Sequence, residues 1–318
     1  MDFEFTEDQH AIAEMAGSVF ADYCTDDRLR QFDTSEHAFM EPLWQLCTET
    51  GLQALAIPES HGGSGLGMTE LLTVLEAQGR ALGQVPLWRH QLAAATLAAW
   101  ADPVLQAWAT DAAAGRVLLT LDLGGLSGAR GLQLQATAQG QGWSLDGRVA
   151  GLALAGQSQA ALLLVSVEGQ PRLAFVDLGA AAISHVPGRM THGEAVADLS
   201  IDGLFITSQQ LLPACALDWL EPRSIAALAA LQLGVSAEQI RRTVEYVSER
   251  RQFERSIGSF QAVQMSMANA HIALEALRSN LWQLCYRLDA GLPAPSEALA
   301  TAWHACEAGH LIGHNAQH

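Results

Sequence analysis

The stretch SERRQFERSIGSFQAVQ at 248–264 gathers the residues of this chain best suited to hold a polar ligand. Arg250, Gln252, Phe253, Phe260, Gln261 and Gln264 all fall within it. A guanidinium is planar, permanently charged and forks onto a pyrophosphate. An aromatic ring covers the face of an adenine, and glutamine amides reach base edges or backbone. The same residues also suit a solvated helix end, with Arg250 paired to Glu249 or Glu254 at little energetic value. Residue chemistry alone leaves these two readings level.

Other constellations carry less. GGSGLG at 62–67 lacks both the G-x-G-x-x-G spacing and the G-K-[ST] ending of phosphate loops, so a tight connection needing positive φ is the stronger reading. His310, His314 and His318, with Cys306 one turn earlier, form a helical stripe, but no third ligand from elsewhere is identifiable and no metal is expected. No Ser-His-Asp or Cys-His arrangement stands out among the 11 histidines.

Composition narrows the function classes. A formal net charge of −17, with every one of the 17 basic residues an arginine, argues against a nucleic-acid or anionic-membrane partner. Any phosphate-bearing ligand must find local arginines. Charged residues make up only 16% and hydrophobic residues 49%, which favours a surface largely covered by the chain's own domains or by other subunits. The five cysteines are widely spaced and include no C-x-x-C pair, and MDFEFTEDQ has no apolar leader. The expectation is a cytoplasmic protein with reduced thiols. The most apolar run, IAALAALQLGV at 225–235, is too short to span a bilayer. It reads as a helix buried on all sides, too broadly apolar to be covered by two neighbours, and hence central to subunit association.

These residues need elements to position them. From residue 6 to about 110 the period is helical, opened by a T-x-x-Q capping box at Thr6 and Gln9. A second helix runs through LWQLCTETGL to Gly51 and a third through TELLTVLEAQGRALG to Gly83. Between about 117 and 210 short β-leaning runs alternate with turn signals, and Asp146-Gly147 is a plausible tight turn. From about 211 the helical period returns over 222–252, 261–290 and 295–316. The expected architecture is α+β and multidomain: an N-terminal α-helical domain over 1–116, a middle β-domain over 117–210 and a C-terminal helical domain over 211–318.

The motifs together resemble the acyl-CoA dehydrogenase family. R-x-Q-F followed by S-I-G-S-F-Q-x-x-Q at 250–264 is similar to its R-x-Q-F-G-x-P-I-x-x-F-Q-x-x-Q pattern, with Glu254 in place of glycine and Ser256 in place of proline. MDFEFTEDQ, GLQALAIPESHGGSGLG and LEAQGRALGQVP resemble three further family segments in order. The resemblance implies a β-barrel-like middle domain and a C-terminal four-helix bundle, cut short here relative to the family. It implies FAD, an acyl-CoA substrate and electron-transfer flavoprotein as acceptor. It also implies that Arg250, Gln252, Phe253, Phe260, Gln261 and Gln264 reach the adenosine diphosphate half of a neighbouring subunit's FAD.

Three departures shape the expectation. The family's T-E-P-x-A-G-S-D-like loop and W-I-T-N-like strand, which lie against the flavin ring, correspond to LDLGGLSGAR at 121–130 and RVAGLALAGQ at 148–157. The second carries no Trp, Thr or Asn. One family location for the catalytic glutamate falls near Ser224, with Glu221 the nearest acid, and the other lies beyond HNAQH. The expectation is therefore an acyl-CoA dehydrogenase subunit of lipid or steroid catabolism, active with a partner that is a longer homologous subunit in a heterotetramer or a second copy of itself, the latter if the sequence is a shortened form of an ordinary homotetrameric enzyme. The alternative is a structural paralogue that binds no cofactor.

Overall fold

The computed structural model describes residues 5–126 and 131–318. Six helices come first: α1 (Glu7–Tyr23), α2 (Asp26–Asp33), α3 (Glu41–Glu49), α4 (Met68–Ala81), α5 (Leu87–Trp100) and α6 (Pro103–Ala113). Seven strands follow: β1 (Leu119–Leu121), β2 (Leu134–Gln139), β3 (Gly142–Ala153), β4 (Ala160–Val167), β5 (Gln170–Asp177), β6 (Ile183–Arg189) and β7 (Ala195–Thr207). The chain ends with α7 (Ala214–Glu249), a small hairpin of β8 (Arg251–Gln252) and β9 (Arg255–Ser256), then α8 (Gln261–Asp289) and α9 (Pro295–Gln317). This is the expected α, then β, then α order. Its compact units do not follow three consecutive blocks, however. One unit gathers 1–29, 67–83 and 222–318, and the other gathers 30–66 and 84–221.

The first unit is helical. Thr6 Oγ1 accepts from Gln9 N–H at 3.2 Å and Gln9 Oε1 accepts from Thr6 N–H at 3.0 Å, the capping box read from the sequence. Helix α4 crosses α7 at very short range, because a Cβ at Gly79 would lie 2.3 Å from Leu231 O and one at Gly234 only 2.1 Å from Glu76 O. Asp289, at the end of α8, caps α4: it accepts from Met68 N–H at 2.6 Å, Thr69 N–H at 2.9 Å and the Thr69 hydroxyl at 2.6 Å. The expected C-terminal bundle thus consists of three long helices from the C-terminal segment with α4 packed among them. The apolar run 225–235 is buried inside this unit, with only Leu228 half exposed. Exposed apolar side chains stand elsewhere in the unit as well, among them Val244 and Tyr246 on α7, Ile272 on α8 and Leu299 and Trp303 on α9, so an association surface centred on 225–235 is not what the fold presents.

The second unit is built on a seven-stranded mixed sheet in the order β1-β4-β2-β3-β7-β6, with β5 on the other side of β4. Alternate apolar residues such as Leu145, Val149, Leu163, Val176, Leu199 and Ile206 form its core. Asp146-Gly147 does not turn the chain. It lies inside β3 at a register shift, with Gly147 at φ +138° and the Asp146 carboxylate accepting from Gly203 N–H at 2.7 Å on β7. A bulge uses the same residue types as a turn, which is why the sequence signal misled. Strand β6 also went unread, because its single buried residue, Ile183, gives no alternation.

Helix α5 meets the sheet through His90, which is fully buried. Its Nε2 lies 3.2 Å from Ala112 O, while Nδ1 accepts from Leu119 N–H at 3.3 Å where β1 begins. Neutral imidazole protonated on Nε2 satisfies both partners, whereas a second proton would point at the Leu119 N–H. Burial pushes the His90 pKa down to about 4. The folded pKa thus lies below the unfolded one, so this contribution is complete above pH 6.5 and is lost as the pH falls towards 4. Stability should fall by about 3 kcal/mol across that window on account of His90. Urea unfolding at a series of pH values measures the slope, and His90→Gln should flatten it.

Candidate functional site

The hairpin between α7 and α8 carries the residues singled out from the sequence. Helix α7 closes with Arg250 N–H donating to Tyr246 O at 2.9 Å, and Ile257 N–H returns to Arg250 O at 2.8 Å. Arg251 pairs with Ser256 and Gln252 with Arg255. The two residues at the tip, Phe253 and Glu254, have φ of +51° and +69°. Two consecutive left-handed residues make the two-residue turn that matches strand twist, a geometry glycine adopts freely and other residues adopt at a cost. The substitution of glycine by Glu254 therefore leaves the turn shape intact.

The structure brings the six candidates to one end of the helical unit. Arg250 is exposed and pairs with neither Glu249 nor Glu254 nor any other described residue, so the ion-paired alternative does not describe it. Phe253 stands at the tip with 87% of its surface exposed. Gln252, Gln261 and Gln264 are exposed, and Gln264 borders a groove of about 290 Å³ shared with Val247, Ser259 and Met267. Phe260 differs. It precedes α8, meets Phe253 edge-on at 6.3 Å, and has the Arg255 guanidinium 4.0 Å over its face. Arg251 is tied down too, donating from Nη2 to Glu254 O at 2.9 Å.

The adenosine diphosphate half of FAD fits these residues: a free guanidinium, a bare aromatic ring and free amides stand together. The ring half fits poorly. Strand β3 ends at Ala153, and Leu154, at φ +54°, and Ala155 continue a buried apolar turn with no side-chain hydrogen-bonding group. In the corresponding loop, 127–130 lie outside the described residues, and the described part holds one ionisable group, Asp122. Burial raises its pKa against the pull of the Gly124 N–H and the Arg89 charge. Arg89 is itself paired with Glu194, and burial lowers its pKa. This half-buried trio carries no motif, because three charges on different elements give no local sequence signal.

The catalytic candidate Glu221 lies on α7, exposed, and belongs to the other compact unit from the hairpin. Ser224, where the resemblance places a glutamate, is buried with its hydroxyl unpartnered. A hydroxyl there has no basic lone pair of carboxylate strength. Among the described residues no group of three or more His, Cys, Asp or Glu could hold a metal ion. No helix among them is long and apolar enough to cross a membrane.

Comparison with known proteins places this arrangement. Residues 6–116 match the model of the acyl-CoA dehydrogenase N-terminal domain and 224–318 that of the acyl-CoA dehydrogenase C-terminal domain. Acyl-CoA dehydrogenase FadE27 of Mycobacterium tuberculosis is 30% identical over 329 aligned positions, spanning 100% of this chain and 88% of that protein. The chain belongs to the acyl-CoA dehydrogenase family.

Solved structures agree. The ChsE4-ChsE5 complex from Mycobacterium tuberculosis superposes with a TM-score of 0.91 at 30% identity, covering 99% of this chain and 87% of the other. A glycine-to-alanine variant of the Tcur3481-Tcur3483 steroid ACAD gives 0.91 at 32%, covering 98% and 86%. PigA with FAD and proline shares the fold at 20% identity, with a TM-score of 0.86 over 99% of this chain and 88% of that one.

The left-handed turn yields a prediction. Glu254→Gly should raise stability by about 0.5–1 kcal/mol through relief of backbone strain, partly offset by unfolded-state entropy. The urea midpoint measures it, with Ser259→Gly as a control at ordinary φ.

Proposed function

We propose that this chain is an acyl-CoA dehydrogenase subunit that completes the FAD site of a longer homologous partner in a heterotetramer. The observation that carries the reading is the exposed, unpartnered Arg250 beside bare Phe253, combined with a strand end at 151–155 that offers the flavin ring nothing polar. Arg250 would grip the diphosphate, Phe253 the adenine, and Gln252, Gln261 and Gln264 the base edge or neighbouring backbone. Bound FAD supplies the two-electron acceptor for α,β-dehydrogenation of an acyl-CoA thioester. Removal of the α-proton needs a carboxylate. Glu221, the nearest acid to one family location, is exposed and off the register that the resemblance calls for, so the reading assigns the base to the partner. The steroid ACAD among the similar structures favours a bulky acyl group, and electron-transfer flavoprotein is the acceptor the family resemblance supports. None of the five cysteines is in a disulfide, which suits a reducing cytoplasm.

A second reading has one observation in its favour. Buried Ser224, with an unpartnered hydroxyl at a position where the resemblance calls for a carboxylate, fits a paralogue retained for assembly alone.

Flavin content separates the two. The chain alone should purify with less than one FAD per chain, and co-expression with a longer family member should restore it. In the complex, Arg250→Ala should weaken FAD binding about ten- to a hundredfold, since a charge-assisted contact contributes about 1.5–3 kcal/mol. Arg250→Lys should recover part of that, and Arg251→Ala should change nothing because Arg251 is held by Glu254 O. Stoichiometric yellow protein from the isolated chain would sink the half-site reading. Equal FAD affinity for wild type and Arg250→Ala would leave the structural paralogue.

A further inference from the structure

The family resemblance assigns Phe260 to the cofactor and leaves Arg255 out; the hairpin geometry reverses their accessibility. Phe260 has one face covered by the Arg255 guanidinium, 4.0 Å from the ring centroid, and Phe253 against its edge. The Arg255 side chain is exposed and, apart from the ring, has no hydrogen-bond or ion-pair partner among the described residues. Stacking on an aromatic face fixes the plane of a guanidinium while leaving its N–H groups free to donate at the edge.

The strand register then fixes which side chains stand together. Directly opposed residues of an antiparallel pair project from one face, and residues two apart along a strand do the same. Gln252 opposes Arg255, and the Ile257 N–H to Arg250 O bond extends the ladder by one step. Arg250, Gln252 and Arg255 therefore share a face, and Arg251 and Ser256 share the opposite one. Arg250 and Arg255, neither side chain partnered by a carboxylate, thus occupy diagonal positions on one face in a chain of net charge −17. Adjacent phosphates are the ligand that needs two such forks, since one guanidinium satisfies the oxygens of only one phosphate.

We propose that Arg255 is the second guanidinium of a diphosphate clamp formed with Arg250, and that Phe260 is the platform that holds Arg255 rather than a ring that meets adenine. The inference rests on the half-site reading above and names the residue that reading omits. The ligand chemistry is an adenosine diphosphate group, which FAD and coenzyme A both carry.

The test uses the full chain and a fluorescent etheno-ADP probe, followed by anisotropy and displaced by ADP, AMP, FAD or coenzyme A. The wild type should prefer ADP to AMP by about tenfold, the effect of one further charge-assisted contact. Arg255→Ala should abolish that preference with AMP affinity unchanged, and Arg255→Lys should restore part of it. Phe260→Leu, which removes the platform and leaves the charge, should reduce the preference severalfold. A merely structural role for Arg255 would not move the ADP to AMP ratio. If Arg250→Ala weakens ADP while Arg255→Ala leaves the ratio at the wild-type value, the clamp is overturned and the half-site reading stands. Absence of any ADP binding by the wild type at millimolar concentration overturns the clamp and leaves the half-site reading, which needs the partner, to its own flavin test. Displacement by FAD supports FAD as the occupant, and displacement by coenzyme A alone keeps the clamp but overturns the half-site reading.

Discussion

The hydrogen bond from Ile257 N–H to Arg250 O is the contact on which the candidate site depends. It converts the frayed end of a 36-residue helix into the base of a hairpin. Without it the carbonyl would be one of the unsatisfied acceptors at a helix C-terminus, and the arginines beyond would point wherever solvent allowed. With it, the register Arg251 to Ser256 and Gln252 to Arg255 follows, and the tip is forced into two left-handed residues. The strain at Phe253 and Glu254 accompanies a bare aromatic ring held out from the fold.

A hairpin can only present side chains as firmly as the helices behind it are fixed. Here α7 is held by close backbone approach as well as by its buried side chains: Gly79 and Gly234 let α4 and α7 approach until no Cβ fits, and Ala226, Ala230 and Leu233 are buried. Helix α8 is fixed to the same α4 by the Asp289 carboxylate on the α4 N-terminus, where the orphan N–H groups and the helix dipole both favour a negative charge. The Arg278 to Glu76 ion pair joins α8 and α4 once more. The hairpin thus projects from two helices that share one anchor. The sheet unit is organised by a different device, the buried neutral His90, which joins α5, the end of α6 and the start of β1 through its two ring nitrogens.

The two halves of a dinucleotide site are treated differently by this chain. Of the residues suited to adenosine diphosphate, all but Phe260 are exposed, with no side-chain hydrogen bond to another described residue. At 151–155 the backbone still turns, but the side chains are aliphatic and buried, and the position where a carboxylate would be needed holds a buried serine. Exposed apolar side chains also stand on α9, Leu299 at 71% and Trp303 at 60% exposure.

Much of this was legible in the sequence because it is local. Capping at Thr6 and Gln9, the helical period of α1, α7, α8 and α9, the β-leaning runs and the R-x-Q-F cluster all depend on neighbours a few residues apart. Tertiary structure decided what depends on distant partners. It made Asp146-Gly147 a bulge rather than a turn, because β7 pairs across it. It put 225–235 inside the molecule, because α4 comes close enough to cover it. Arg250 was left free and Arg251 tied down, although the two are identical in chemistry and adjacent in sequence, because strand alternation sends them to opposite faces. Sequence names the side chains that can do chemistry; which of them is free to do it depends on hydrogen-bond partners supplied by the folded chain.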